Sequence, residues 1–382
     1  MMKLKLLYCV PGLNNPGGME RILTDKINFL VNQNNIEVFV VTTDQNGEKL
    51  FFELDSKVKV INLDLNFNSL FSLSMTRKYL GIKRKLKLYS TLLAEVIKEN
   101  NINICISTGG KELEFLYKLD VDCKKILEIH FAKNFRKQFL LSRKNNWIFR
   151  LIGNVRTTQL INQTKSLDAV VVLTKEDQKE WQLTHHNIYQ IYNFTSINTQ
   201  QVSHLENKKA IAIGRLDAQK GFDMLIDSWF LKKDELNEWT LEIFGKGEWE
   251  EFLQLKIDNY GLQDNIFLKG VSNNIEVELQ SSSIFMFSSR YEGFGLALIE
   301  AMSLGLPVIS FNCPHGPSEL VENNGYLVEP DNIVLFSEAI HKLAQNRKLR
   351  AEMGIKSKIR AKSFEKGMIM SQWVNFFKTL TA

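Results

Sequence analysis

Two glutamates, Glu292 and Glu300, are separated by seven residues around a glycine-containing loop, and together they could bind an anion and hydroxyl groups. The residues before the loop, 284–288, predict a short strand, and residues 296–304 predict a helix that stops at Gly305. The free amides at the start of such a helix attract an anion. With a carboxylate on either side for hydroxyls, this arrangement suits the sugar, diphosphate and ribose of a nucleotide sugar. The alternative is a pair of solvated glutamates on an ordinary helix.

A second anion-binding pattern follows the first predicted strand, residues 3–10. A turn containing Gly17 and Gly18 leads into an amphipathic helix that extends to about Asn32. A strand, a glycine-rich turn and a helix in this order hold phosphate at a helix N-terminus. The turn lacks the G-x-G-x-x-G spacing, so a dinucleotide site is not supported.

Other chemically useful residues also follow predicted strands. Arg215 and Lys220, with Gly221, come after a strand over residues 209–214, and His130 ends a strand over residues 125–130. Arg215 alone could be a surface arginine, and His130 could be a structural histidine. Because the carboxyl ends of parallel strands share one edge of a sheet, these positions are expected to border a cleft.

Length and composition predict a soluble protein of two domains. The chain has 382 residues, 44% of them hydrophobic and 24% charged. Its four cysteines show no metal-binding spacing and no C-x-x-C pair, which favours reduced core thiols in a cytoplasmic protein. The N-terminal apolar run is too short for a signal peptide, and no stretch is apolar enough for a transmembrane helix.

Strands and helices alternate in two successive series, which predicts an α/β protein of two doubly wound domains facing a cleft. We place the first domain at residues 1–193 and the second at 194–363, with a polar linker beginning at Asn193. We expect the final helix, at about 364–382, to pack back onto the first domain.

The first domain carries a strongly basic region. Residues 77–165 contain 19 lysines and arginines against 7 acidic residues, although the whole chain has a net charge of only +5. Basic and aromatic residues interleave over residues 131–165, which suits a helix lying on anionic lipid headgroups. RNA binding would suit the charge too, but no RNA-binding motif accompanies it, and the simplest alternative is a solvated basic face. The candidates for acceptor or membrane contact are Arg21, Arg136, Lys137, Arg143, Lys144 and Trp147.

Taken together, the chain resembles the family 4 retaining glycosyltransferases of the GT-B fold. The resemblance covers the whole chain, is strongest over residues 209–330 and is weak over residues 45–165. Each motif alone is weakly specific, but their order and spacing agree. The motifs are Gly17-Gly18, Gly214-Arg215-Leu-Asp-Ala-Gln-Lys220-Gly221, Ser288-Ser289-Arg290-Tyr-Glu-Gly-Phe, the Glu292–Glu300 pair and Gly305-Leu-Pro.

The resemblance implies a role for each matching residue. Arg215 and Lys220 would neutralise the leaving diphosphate, Glu292 would bind sugar hydroxyls, and Glu300 would bind the ribose. His130 would face the donor sugar as a fourth catalytic residue. The other expected donor contacts are Gly17, Gly18, Val271, Phe294, Gly295 and Leu296.

The implied activity is transfer of a hexose or N-acetylhexosamine from a nucleotide sugar, with UDP favoured, to a lipid-linked saccharide of a surface polysaccharide. No cofactor, catalytic metal or nucleic acid is expected, and the enzyme is expected at the inner face of the membrane. Alternatives are a nucleotide-sugar epimerase and a non-catalytic partner subunit of the same fold. The sequence departs from the family at the hinge, Asn193-Phe194, and at Cys313-Pro-His-Gly-Pro-Ser-Glu319. The departure at the second segment leaves His315 and Glu319 open as contacts of the donor sugar.

Overall fold

The structure, a computed structural model, describes residues 3–143, 146–197 and 202–381. The named strands of the described chain form two sheets, one in each half, and all their pairings are parallel. Parallel sheets are covered on both faces, which explains why the strands are continuous apolar runs. The prediction of two doubly wound α/β units is confirmed.

The first sheet has seven strands in the order β3-β2-β1-β4-β5-β6-β7. Its strands are β1 (Leu4–Val10), β2 (Ile36–Thr42), β3 (Lys59–Asn62), β4 (Ile104–Ser107), β5 (Lys124–Glu128), β6 (Ala169–Val172) and β7 (Ile188–Gln190). The accompanying helices are α1 (Gly18–Val31), α2 (Met75–Asn100), α3 (Phe135–Arg143), α4 (Trp147–Thr164) and α5 (Lys175–Gln182).

The second sheet has six strands in the order β10-β9-β8-β11-β12-β13. Its strands are β8 (Lys209–Ile213), β9 (Thr240–Phe244), β10 (Ile266–Gly270), β11 (Ile284–Phe287), β12 (Val308–Phe311) and β13 (Gly325–Val328). The helices of this half are α6 (Phe222–Phe230), α7 (Glu250–Asn259), α8 (Ile275–Gln280), α9 (Leu296–Ser303), α10 (Pro317–Leu320), α11 (Ile333–Gln345) and α12 (Arg347–Ala361).

The last helix, α13 (Lys366–Thr381), packs in the first domain. Its buried Trp373 and Phe377 belong to the same core cluster as residues of β1 and α1. The chain passes between the domains twice, and the two passages touch. Thr195 and Glu365 form a parallel bridge, and the Thr195 amide donates to the carbonyl of Phe364 at 3.1 Å.

In both sheets the strand order reverses direction beside the predicted functional loops. The strand order turns between β1 and β4 in the first sheet and between β8 and β11 in the second. Ligands of doubly wound proteins bind outside the carboxyl ends of strands at such points. The turn with Gly17 and Gly18 follows β1, and the loops with Lys220 and Glu292 follow β8 and β11.

Two boundaries differ from the sequence prediction. Strand β5 ends at Glu128, the last residue in its register with β6, so His130 lies two residues beyond the strand. The predicted helical region 131–165 divides into α3 and α4, because Asn146 starts a new helix by accepting a hydrogen bond from the Phe149 amide at 2.9 Å. Within the described residues, none of the helices is long and apolar enough to cross a bilayer.

Candidate active site

The loops after β8 and β11 are held together by hydrogen bonds and close packing, and they form one wall of the second domain. The Ser288 hydroxyl donates to the Lys220 carbonyl at 2.8 Å. Gly221, with φ +63°, lies so close to Ser288 that a Cβ would stand 2.1 Å from its carbonyl oxygen. The Arg290 guanidinium donates to both carboxylate oxygens of Asp223, at 2.9 and 2.7 Å. The sequence motif that contains Arg290 did not indicate this structural role.

Within this wall, the Lys220 Nζ lies 2.6 Å from Glu292 Oε1. Both side chains are largely buried. The Lys220 stem crosses Gly214 so closely that a Cβ there would lie 2.9 Å from it, which explains the glycine. A diphosphate arriving here would meet an ammonium that is already oriented by a carboxylate.

The N-termini of two helices, one from each domain, meet across the cleft. Gly18 begins α1 and Leu296 begins α9, and a Cβ on Gly18 would lie 3.3 Å from Leu296 Cδ2. Each helix is preceded by a glycine, Gly17 or Gly295, that offers no side-chain cap to the first amides. Unsatisfied amides and the helix dipole make each end electropositive, so their meeting point suits an anion.

One helical turn further along, a side-chain pair joins the domains. Arg21 of α1 donates to Glu300 Oε1 of α9 at 3.1 Å. Burial raises the pKa of Glu300 to about 7, and the charge of Arg21 offsets this only in part. Arg21 thus faces the carboxylate expected to bind ribose.

His130 is held inside the first domain. Its side chain is only 4% exposed, and Nε2 lies 2.9 Å from Glu128 Oε1. Burial favours the neutral form of Glu128, but Lys26 and His130 together lower its pKa to about 2. The backbone of His130 meets the second domain, because a Cβ on Gly293 would lie 2.5 Å from its carbonyl oxygen. Contact of the imidazole with a donor sugar stays a prediction.

Arg215 and Val271 follow strand ends, and their side chains are more exposed to solvent than those of Lys220 and Glu292. The Arg215 side chain is 64% exposed and contacts Gln219 at 3.0 Å and Asp217 at 3.3 Å. Val271 follows Gly270 and is 52% exposed. Nothing in the described contacts joins either residue to the first domain, so their expected contacts with diphosphate and base stay predictions.

The Glu319 carboxylate joins the two domains. Its carboxylate accepts hydrogen bonds from the Glu176 amide at 2.9 Å and from the Tyr192 hydroxyl at 2.8 Å. Glu176 lies in the first turn of α5 of the first domain, so a second-domain carboxylate caps that helix. Sequence analysis missed this role because the partners lie more than 120 residues away along the chain.

The expected membrane residues separate into two groups. Arg136 and Lys137 are half-buried, and a Cβ on Gly153 of α4 would lie 2.9 Å from Lys137, because α3 and α4 pack closely here. Arg143 ends α3, and Lys144 lies outside the described residues. Trp147, by contrast, is 74% exposed and begins an apolar face of α4 that also contains Ile148, Leu151, Ile152 and Val155.

Comparison with known proteins shows similarity to glycosyltransferases. Residues 193–360, the domain with the Lys220–Glu292 pair, match the family described as glycosyl transferases group 1. Over this domain the chain is therefore similar to glycosyltransferases. The Erwinia amylovora amylovoran biosynthesis glycosyltransferase AmsD is 26% identical over 97% of this chain and 98% of its own length. The Staphylococcus aureus poly(ribitol-phosphate) alpha-N-acetylglucosaminyltransferase is 30% identical over 74% of this chain, but over only 59% of its own length.

The fold is also that of a solved structure. A point mutant of Staphylococcus aureus TarM, in complex with fondaparinux, alpha-GlcNAc-glycerol and UDP, superposes with a TM-score of 0.79 at 19% identity. The match covers 99% of this chain and 100% of that one. The two parallel sheets therefore form a GT-B fold, as the sequence predicted.

Proposed function

We propose that this protein is a retaining glycosyltransferase that moves a hexose or N-acetylhexosamine from a UDP-sugar to a lipid-linked saccharide. Its product would extend a surface polysaccharide such as a capsule, O-antigen or exopolysaccharide. The observation that carries the proposal is the meeting of two helix N-termini at Gly18 and Leu296, beside the Lys220–Glu292 pair, which joins the loops that lead into α6 and α9.

The chemistry of sugar transfer fits these groups. The bond between the anomeric carbon and the diphosphate breaks, a new bond forms to an acceptor hydroxyl, and UDP and one proton are released. Negative charge collects on the diphosphate and positive charge on the sugar carbon. Fixed helix amides and the Lys220 ammonium stabilise the first charge, and preorganised contacts of this kind lower the barrier. Arg215 would add a second cation from the exposed rim of the β8 loop.

Two of the relatives support the choice of donor and product. One is named for N-acetylglucosamine transfer to poly(ribitol-phosphate), and the other for amylovoran biosynthesis. The solved structure was obtained with UDP and a GlcNAc glycoside. These names favour a UDP-sugar donor and a cell-surface polymer. The identity of the transferred sugar and of the acceptor is part of the proposal.

We also propose that the first domain attaches the enzyme to an anionic membrane where a lipid-linked acceptor resides. The apolar face of α4 is flanked by the exposed Arg150 and Arg156. The N-terminal half of α2 likewise exposes apolar side chains beside basic ones. Its members are Met75, Tyr79 and Leu80 with Arg77, Lys83 and Arg84. Apolar residues flanked by arginine and lysine are typical of helices at a lipid surface.

The test is a transfer assay with purified protein. A panel of UDP-, GDP- and ADP-sugars is incubated with polyprenyl-diphosphate-linked saccharides, and both the released nucleotide and the glycosylated lipid are measured. We expect release of UDP that depends on the acceptor, and a product with the anomeric configuration of the donor. An epimerase would interconvert the sugar nucleotide without acceptor.

The control separates a wrong donor from a wrong function. Binding of each nucleotide is measured by thermal shift in the absence of acceptor. UDP binding without transfer would point to a different acceptor, and binding of GDP or ADP alone would replace the proposed donor. Failure to bind any nucleotide would reject the proposed function.

A further inference from the structure

Three side chains converge at the domain junction, apart from the residues assigned to the donor. Asp177 and Glu180 lie one turn apart on α5 of the first domain, and His315 lies in the turn after β12 of the second. Each offers one ligand atom, and the three atoms lie within 4.8 Å of one another. We propose that this group binds a divalent cation, with zinc as the best match, and that the cation joins the two domains.

The His315 imidazole carries the proposal, because it is buried and the carboxylate oxygen nearest to each ring nitrogen lies beyond hydrogen-bond distance. Its side chain is 2% exposed, and Nδ1 has no hydrogen-bond partner among the described residues. The nearest carboxylate oxygens are Glu176 Oε2, 3.9 Å from Nδ1, and Glu180 Oε1, 3.7 Å from Nε2. Both distances exceed hydrogen-bonding range. A buried polar atom without a partner is costly, so such a group in a native site calls for an occupant.

The spacing suits a metal ion better than a direct contact. Zinc bonds to nitrogen and oxygen of about 2.1 Å place two neighbouring tetrahedral ligand atoms about 3.4 Å apart. The separation of 3.7 Å between His315 Nε2 and Glu180 Oε1 is close to that value. Small side-chain rotations would bring the third ligand, Asp177, into the same sphere.

Surrounding hydrogen bonds already orient the ligands. The Lys133 amide donates to Asp177 Oδ1 at 3.0 Å, and the Asn134 side chain donates to Glu180 Oε2 at 3.1 Å. The second contact leaves Glu180 Oε1 to face the imidazole. Glu176 stands on the far side of His315, near Nδ1, and accepts the His315 amide at 2.9 Å. Outer partners of this kind, including a carboxylate beside the distal nitrogen of a histidine, are typical of zinc sites.

The donor set limits which ion fits. One imidazole and two carboxylates suit zinc or manganese, whereas magnesium and calcium prefer oxygen ligands throughout. Three protein ligands leave one tetrahedral position for water. The site would be structural: His315, which the sequence left open as a contact of the donor sugar, faces Glu176 and Glu180 of α5.

Occupancy would stabilise the donor loop. The Glu292 amide donates to the carbonyl of Pro314, next to His315, at 3.3 Å. Gly316, with φ +129°, packs so closely on Phe294 that a Cβ would lie 1.9 Å from its carbonyl oxygen. A cation that ties His315 to α5 therefore fixes the loop of Glu292 and Phe294 relative to the first domain.

The test is direct metal binding by the full chain. Chelator-treated protein is titrated with ZnCl2, MnCl2 and MgCl2 by calorimetry. We expect one equivalent of Zn²⁺ to bind, more tightly than Mn²⁺ and far more tightly than Mg²⁺. His315→Asn, Asp177→Asn and Glu180→Gln should each weaken Zn²⁺ binding about tenfold or more, a loss typical of removing a group that holds a metal. The matched control is His186→Asn, which removes an exposed histidine of the first domain and should leave binding unchanged.

Folding of the variants is checked by circular dichroism. Asn is chosen at 315 because it tolerates the left-handed backbone of His315, which has φ +65°. If that variant does not fold, Glu180→Gln decides, because the Glu180 side chain is partly exposed. Zn²⁺ should raise the Tm of the unmodified chain and not of the ligand variants. Absence of stoichiometric Zn²⁺ binding, or equal binding by the ligand variants, would overturn the proposal. The measurement uses no substrate, so its outcome is independent of the proposed transferase activity.

Discussion

At the scale of single residues, Lys220 is the cation best placed to act on a leaving diphosphate. Its Nζ lies 2.6 Å from Glu292 Oε1, and its side chain packs closely across Gly214. We expect Lys220→Ala to lower kcat for sugar transfer by about 10²–10³-fold, because one preorganised charge contact contributes that much in a water-excluded site. Steady-state UDP release with saturating donor measures the effect.

The control for Lys220 is another lysine paired with a carboxylate in the same domain. Lys256 lies 2.7 Å from Asp227 Oδ1 on the side of α7, and Lys256→Ala should leave kcat close to that of the original protein. Near-normal turnover in a folded Lys220→Ala protein would remove this residue from the catalytic set.

Glu300 is expected to make stability depend on pH. Burial raises its pKa from 4.5 to about 7 in the folded protein, so the folded state binds this proton more tightly than the unfolded state. Its contribution to stability is fully present below about pH 4.5 and is lost as the pH rises through about 7. Glu300→Gln cannot ionise, so raising the pH from about 5 to about 8 should favour the variant over the original by up to about 3 kcal/mol.

Urea unfolding of both proteins at the two pH values measures this difference. In the variant Arg21 faces a neutral side chain at both pH values, so the change in the stability difference with pH reports the Glu300 proton. The same stability difference at the lower and the higher pH would mean that the Glu300 carboxyl does not titrate in this range.

At the scale of elements, Gly221 holds the loops after β8 and β11 together. Gly221→Ala would drive a Cβ to 2.1 Å from the Ser288 carbonyl oxygen, whereas Gly261, with φ +66°, has open space around it. Both changes carry a left-handed backbone penalty of about 1–2 kcal/mol. Because overpacking adds about 1–3 kcal/mol, Gly221→Ala should lower the free energy of unfolding further than Gly261→Ala. If urea unfolding gave equal losses of unfolding free energy for the two variants, the close packing of Gly221 against Ser288 would be contradicted.

The apolar face of α4 is expected to bind vesicles. The double variant Trp147→Ser, Leu151→Ser removes side chains that are 74% and 56% exposed. We expect it to abolish co-sedimentation with anionic liposomes, since apolar insertion and charge attraction act together at such surfaces. Binding by the original protein should weaken as salt rises, because charges are screened over about 8 Å at physiological ionic strength.

A matched pair on α7 serves as the control for that experiment. Phe252 and Leu255 are 48% and 56% exposed in the second domain, and changing both to serine should leave co-sedimentation unchanged. If the α4 variant pelleted as well as the original, the face would be a solvated surface.

At the scale of the whole molecule, α13 stabilises the first domain from the far end of the chain. Trp373 is 1% exposed and packs in the β1–α1 core, and its ring centroid lies 3.5 Å from the Lys26 ammonium. Trp373→Ala should therefore lower the free energy of unfolding by about 3–5 kcal/mol. Denaturant unfolding followed by circular dichroism measures the loss, and the exposed Trp147→Ala should cost less than about 0.5 kcal/mol. Similar losses in both variants would contradict the docking of α13.

Local patterns allowed much of this architecture to be predicted. Buried parallel strands such as β1 and β6 are continuous apolar runs, and the glycine turns at Gly17, Gly221 and Gly295 mark where the chain bends. These signals act over a few residues, so they predicted the two sheets and which loops end at the cleft. They did not predict the break between α3 and α4, because one side-chain cap at Asn146 decides it.

The sequence by itself determined the two parallel sheets, the loops at their carboxyl edges and the resemblance to glycosyltransferases. Only the tertiary structure decided which side chains meet across the domains. Arg21 and Glu300 lie 279 residues apart in sequence, and Glu319 meets Tyr192 over 127 residues. The orientation of one domain against the other determines such contacts, and no periodicity within a strand or helix records that orientation. For the same reason, the meeting of His315 with Asp177 and Glu180 could be found only in three dimensions.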